Sequence, residues 1–410
     1  MENKKTKILI WDLYINIKNS GGPAGYLYNW KEYLKTTKEY DNIYFLKDLL
    51  GLNNINQTLR FKYKTFFDFL FLIDIFKIWP CIKVIWTYLN FKRTKSVNLI
   101  EEIDLNEFDV IHFHVASHLY KVIPLLKNYN GKIVLTTHCP EPLSHEICSC
   151  IPSYYSLLKK WLIKKIEDIE LESWEKADYM LFPVETAIEP YCVSEKLKSF
   201  LLNNKSKLLF CPTSILDSNI VYDRNLFKEK CNIPDNAFII TYVGRHTEVK
   251  GYDQLVKLGE QVLNKYKDVY FVIGGLYTPG QGLNHPRWIE LGWINYGSQL
   301  IASSDLFILP NKETYFDIIA LEVLRSGTPL MMSNTGGNKY FRSLKGNDGL
   351  RFFEYGDFTK QMNIIAEILN MTKEDRDKMR ENNLSLFNLN FKMESFFQRY
   401  EALLKKVLSI

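Results

Sequence analysis

Arg245, Lys250 and Glu322 are the residues whose type and context best suit binding chemistry. Gly244-Arg245 directly follows the apolar run 238–243, and Lys250-Gly251 stands at the start of an expected helix. Together they offer a guanidinium, an ammonium and helix amides to a single anion. The same pair, taken alone, also fits two solvated surface cations. Glu322 lies among Ile318, Ile319, Leu321 and Leu324, which run at helical spacing toward a stop at Gly327. A carboxylate on so apolar a helix needs hydrogen-bond donors, and a ribose diol supplies two at the right separation. Thr328-Pro329 ends that helix, 330–332 reads as a short strand, and Gly336-Gly337 would let backbone amides approach an anion closely.

The stretch 313–337, ETYFDIIALEVLRSGTPLMMSNTGG, resembles the donor-binding signature of family 4 glycosyltransferases with the GT-B fold. Glu322, Gly327-Thr328-Pro329 and Gly336-Gly337 match it in place, and Gly244-Arg245 with Lys250-Gly251 is similar to the family's diphosphate clamp. One position departs: counting back eight from Glu322 reaches Thr314, where the family carries its first glutamate, and Glu313 sits one residue early. On a helix that offset is about 100° of rotation. The departure concerns the donor sugar rather than the nucleotide. The resemblance assigns donor binding to Gly22, Gly244, Thr314, Tyr315, Phe316, Asp317, Glu322, Gly336 and Gly337, with Asp317 standing where family members usually carry glycine.

Two α/β halves must position these residues. The first reads as strands over 7–11, 110–113, 133–136 and 179–183, with helices over 24–34 and 155–176. The second reads as strands over 238–243, 269–273 and 306–309, alternating with helices over 252–266 and 298–302. Short apolar runs alternating with helices imply two doubly wound, Rossmann-like parallel sheets, the GT-B arrangement. The expected organisation is an acceptor-side domain over 1–212, a nucleotide-sugar domain over 213–390, and a C-terminal helix over 391–410 returning to the first domain. The glycines before the first helix suit either a phosphate at its N-terminus or an ordinary tight turn. The charges of helix 155–176 read as a solvated face.

His138 ends the strand 133–136 and opens the loop Cys139-Pro140-Glu141-Pro142. The resemblance places a histidine there, near the donor sugar. A neutral imidazole could then bind a hydroxyl and position the anomeric carbon without acid or base chemistry. His112 and His114 alternate to one face, which suits packing, and His246 adjoins Arg245 within reach of phosphate. The catalytic set expected is His138, Arg245 and Lys250, the two cations stabilising a departing nucleoside diphosphate, with the donor's configuration retained as the resemblance implies.

At 410 residues the chain suits two domains, and a net charge of +5 is not a nucleic-acid profile. Seven scattered cysteines, with no signal peptide ahead of Lys7, suit a reducing cytoplasm. No metal site or cofactor is expected: Cys148-Ser149-Cys150 is too close-set for zinc, and Asp375-Arg376-Asp377 reads as helix capping. The stretch 59–95 interleaves aromatic and basic residues, with charges too frequent for a spanning helix of roughly 20 apolar residues. It reads equally as a membrane-lying surface reaching a lipid-linked acceptor, at the inner face of the membrane, or as helices packed in the first domain. The expected partners are a nucleotide-sugar donor, UDP-linked in the first instance, and a glycan or lipid-linked acceptor in cell-surface polysaccharide synthesis. A sugar-nucleotide epimerase and a catalytically silent binding subunit are the alternatives.

Overall fold

The computed structural model describes residues 5–19, 22–52, 78–92, 103–217, 222–276 and 282–408. The chain divides into two compact units. Unit 1 comprises Met1–Phe182, Tyr191–Phe210 and Leu403–Ile410, and unit 2 comprises Pro183–Pro190 and Cys211–Ala402.

Unit 1 is built on β1 (Ile8–Trp11), β2 (Ile43–Phe45), β3 (Val110–Phe113), β4 (Lys132–Leu135), β5 (Tyr179–Phe182) and β6 (Leu208–Phe210), in the order β2-β1-β3-β4-β5-β6. Every pairing is parallel, as in Ile8 to Val110 and Val110 to Lys132. All four residues of β1 are buried, which is why such strands read as unbroken apolar runs. Three helices matter below: α1 (Gly22–Thr36), α2 (Ile78–Lys92) and α3 (Ser156–Lys176). Leu162, Ile166 and Ile169 of α3 pack against Cys81, Val84 and Tyr88 of α2. In the aromatic stretch, residues 59–77 and 93–95 lie outside the described residues.

The charges of α3 are not all solvated. Glu170 is 1 % exposed and accepts a hydrogen bond from the Leu143 amide at 2.9 Å. Burial pushes its carboxyl up to about 8.

Unit 2 holds β7 (Phe238–Val243), β8 (Val269–Gly274), β9 (Trp288–Gly292), β10 (Leu306–Leu309), β11 (Leu330–Ser333) and β12 (Leu350–Phe353). Their order is β12-β11-β10-β7-β8-β9, again parallel throughout. Between them run α4 (Tyr252–Lys265) and α5 (Ile318–Arg325), followed by α6 (Lys373–Asn390) and α7 (Met393–Leu408). Thr372 and Asp375 close a capping box on α6, so the first acid of Asp375-Arg376-Asp377 caps a helix as its sequence suggests.

Strand order reverses beside β7, whose neighbours β8 and β10 belong to opposite halves of the sheet. Ligands of open parallel sheets bind outside the carboxyl ends of strands at such a reversal. In unit 1 the reversal falls between β1 and β3.

Candidate functional site

In unit 2 the loops that leave β7, β10 and β11 converge at the reversal. The Lys312 and Glu313 amides donate to the Val249 carbonyl at 3.0 and 3.3 Å, joining the β7 and β10 loops. The Gly337 amide donates to the Thr314 carbonyl at 3.1 Å, and the Thr335 hydroxyl to the Lys312 carbonyl at 3.0 Å, joining the β10 and β11 loops. Gly251 caps α4 at φ +67°, and a Cβ there would stand 1.7 Å from the Pro310 carbonyl oxygen. Only glycine permits that approach.

Lys250 does not stand free beside Arg245. Its ammonium is hydrogen-bonded to Asp317 Oδ1, while Asn311 donates its side-chain amide to Asp317 Oδ2. The Lys250 and Asp317 side chains are only 18 % and 12 % exposed. Burial works against the Asp317 charge, but the Lys250 ammonium and the two hydrogen bonds outweigh it and hold the carboxyl below its usual range. Asp317, expected to touch sugar, is thus the counter-ion of Lys250. Asn311 is fully buried, and nothing in the sequence marks it for this role. Arg245 is exposed, and among the described residues no carboxylate lies in ion-pair reach of it.

The other expected contacts divide between surface and core. Gly336, at φ +43°, and Gly337 form the seat of the 314–316 turn: Cβ atoms there would meet the Thr314 and Tyr315 carbonyl oxygens at 2.1 and 2.0 Å. The Gly337 amide is engaged by the Thr314 carbonyl, so this glycine packs the turn. Thr314, Tyr315 and Phe316 are buried, and Phe316 stacks on Phe341 at 5.3 Å and reaches Phe391 at 6.4 Å, an anchor for the turn. Replacing Gly337 by alanine should cost about 1–3 kcal/mol of stability through overpacking. Gly22, at φ +69° with open space around it, should cost only about 1 kcal/mol of backbone strain on the same change. Equal melting temperatures for the Gly337→Ala variant and the parent would refute the seat.

Glu322 is partly buried in α5. Burial raises its carboxyl above the ordinary range, opposed by Arg325 one turn on and by a hydrogen bond from Ser298. The carboxylate therefore has internal donors beyond any ribose. Gly244 donates its amide to the Gly274 carbonyl at 3.0 Å and faces Tyr242, whose hydroxyl donates to the Arg245 carbonyl at 2.8 Å. His246 is buried and stacks on Tyr252 at 3.9 Å with an interplanar angle of 7°.

In unit 1 His138 follows β4 and His114 follows β3. His114 Nδ1 and His138 Nε2 share a hydrogen bond at 3.0 Å, and Tyr26 of α1 lies 4.8 Å from the His138 ring. His112 bonds the Thr136 hydroxyl at 2.8 Å, as its buried, same-face position with His114 suggests. Burial pushes His138 down to about 3, leaving a neutral imidazole that can bind a hydroxyl but does not act as an acid near neutrality. All seven cysteines are free thiols, and among the described residues no three His, Cys, Asp or Glu side chains are grouped to hold a metal ion.

Comparison with known proteins agrees with this architecture. Residues 223–385 match the family model "Glycosyl transferases group 1". An uncharacterized glycosyltransferase, MJ1607, of Methanocaldococcus jannaschii is 26 % identical over 132 residues, covering 30 % of this chain and 34 % of the relative. The O-antigen biosynthesis glycosyltransferase WclY of Escherichia coli is 22 % identical over 144 residues, covering 33 % and 39 %. The chain thus spans about a third of the length of the curated relatives it matches. The crystal structure of Anabaena Alr3699/HepE in complex with UDP superposes with a TM-score of 0.62 at 14 % identity, covering 98 % of this chain and all of that one. The chain has the GT-B fold, and its residues 223–385 are similar to the glycosyl transferases group 1.

Proposed function

We propose that the protein is a glycosyltransferase that moves a sugar from a nucleoside-diphosphate sugar to a glycan or lipid-linked glycan acceptor, with retention of configuration. The observation that carries this is the convergence, at the strand-order reversal of unit 2, of the loop bearing Arg245 and Lys250 with the loop that leads into α5 and Glu322. Arg245 and Lys250 would meet the diphosphate and stabilise the charge that grows on the leaving group. Glu322 would take the ribose diol, and neutral His138 would bind a donor hydroxyl. UDP as the base-bearing group is supported by the UDP complex of the similarly folded HepE, and a cell-surface glycan acceptor by the O-antigen role in the name of WclY.

A thermal-shift screen against UDP, GDP, ADP, CMP and NAD, with and without magnesium, tests the donor reading, because a ligand that binds only the folded state stabilises it. One nucleoside diphosphate is expected to raise the melting temperature. A shift with NAD alone, or with none, would overturn the proposal. Arg245→Ala should weaken nucleotide binding by about 1.5–3 kcal/mol while leaving stability unchanged, since the side chain is exposed. Unaltered calorimetric affinity would remove Arg245 from the clamp.

A further inference from the structure

The face of α2 turned away from the unit 1 core is apolar. Ile78, Ile82, Trp86 and Leu89 recur along one side of the helix and are exposed, Trp86 by 62 %. The start of α3 continues this surface. Trp161 meets Tyr88 of α2 edge to face at 6.0 Å, and Leu157, one turn earlier on the same face as Trp161, is 83 % exposed, with Tyr154 just before the helix exposed as well. A soluble surface rarely leaves so many large apolar side chains side by side, and such patches mark contact with a protein or a membrane.

Charge decides between these. Residues 78–92 and 151–166 carry six lysines and no aspartate or glutamate. Lys83, Lys92, Lys160 and Lys164 are exposed, and Lys92 lies over the Tyr88 ring at 5.0 Å. Apolar and indole side chains bordered chiefly by lysines, with Glu172 near Lys92, suit an interface of acyl chains beneath anionic head groups, where tryptophan sits at the boundary and lysine stems reach up to phosphate. No helix among the described residues is long and apolar enough to cross a membrane, so contact from the side is the mode this face permits.

We infer that the exposed faces of α2 and the first turns of α3 form a docking surface for an anionic lipid bilayer. The surface joins residues 78–92 to residues 154–164, and it does not rest on the donor reading.

Co-sedimentation of the full chain with phosphatidylcholine vesicles, with and without phosphatidylglycerol, tests it in the absence of nucleotide. The protein should bind the anionic vesicles, be released by high salt, and ignore the neutral ones. Leu157→Ser/Trp161→Ser and, separately, Lys160→Glu/Lys164→Glu should each weaken binding at least about tenfold. Both variants should keep the parent's melting temperature and its shift with UDP. The charge variant alters only exposed side chains and preserves the test if the apolar variant folds poorly. No binding of the parent to anionic vesicles, or variants that bind as the parent does, would overturn the inference. So would a parent dimer in light scattering that Leu157→Ser/Trp161→Ser converts to monomer without any vesicle binding, which would assign the face to a second copy.

Discussion

Lys250→Ala should lose about 3 kcal/mol of stability and, separately, weaken nucleotide binding tenfold or more. The stability loss follows from Asp317, whose carboxylate keeps its charge in a largely buried place chiefly through the Lys250 ammonium. Removing the cation leaves an uncompensated charge, whereas removing both charges restores balance. Lys250→Ala/Asp317→Asn should therefore melt close to the parent yet still bind nucleotide weakly. Asp317→Asn alone should bind nucleotide more tightly, because a diphosphate then need not compete with a carboxylate for the same ammonium. Calorimetry and melting curves on the three variants read the two effects apart. If the double variant recovers affinity along with stability, Lys250 is a structural cation only.

A second large effect is expected from pH. His112, His118 and His138 are each pushed down to about 3 by burial, while Glu170 is pushed up to about 8. The histidines have folded values below their unfolded value near 6.5, so the unfolded chain takes up protons first and stability is lost as pH falls below about 6.5. Glu170 has the opposite sign: its contribution is full below about 4.3 and is lost as pH rises toward 8. Between about pH 6 and 4.5 the unfolded state binds more protons than the folded one, because His114 is likewise held far below its usual range, and stability falls steeply there. From about pH 7 to 8 the histidines fade and the carboxyl prevails in the opposite sense, with a slope well below that of a single full proton. Unit 1 should thus be most stable close to pH 7, with a steep acid limb and a shallow alkaline one. Glu170→Gln should flatten the alkaline limb and steepen the acid one, since the amide can still accept from Leu143. Melting temperatures across pH 4.5 to 8.5 that do not change, or a Glu170→Gln profile like the parent's, would contradict this account.

Most of the framework was legible because both sheets are parallel and buried on two faces. The run 238–243 is apolar enough to declare a strand without any knowledge of its neighbours, and β7 occupies those very residues. Less legible was whatever depends on a partner far along the chain. That Asp317 pairs with Lys250 does not show in sequence because the two lie 67 residues apart. That Gly336-Gly337 seats the turn 314–316 is hidden because that turn shows no sign in sequence of folding over it. Phe316 looked like a ligand contact although Phe341 and Phe391 hold it in a core. Glu170 was hidden for a further reason: on a helix rich in Lys and Glu, periodicity does not mark the single acid that turns inward. The aromatic stretch posed a choice between core and exposed surface, and α2 does both, with opposite faces.

The placement of α7 bears on how the protein is made. Residues 393–402 belong to unit 2, whereas the helix from Leu403 onward, with Leu404 and Val407 buried, belongs to unit 1. A chain leaving the ribosome therefore presents all six strands of unit 1 long before the last apolar side chains of that unit exist. Unit 1 must wait, partly open, while nearly two hundred residues of unit 2 are translated. For the cell this is an interval of exposed hydrophobic surface, the circumstance in which nascent chains engage chaperones, and it makes the first unit to emerge the last to be completed.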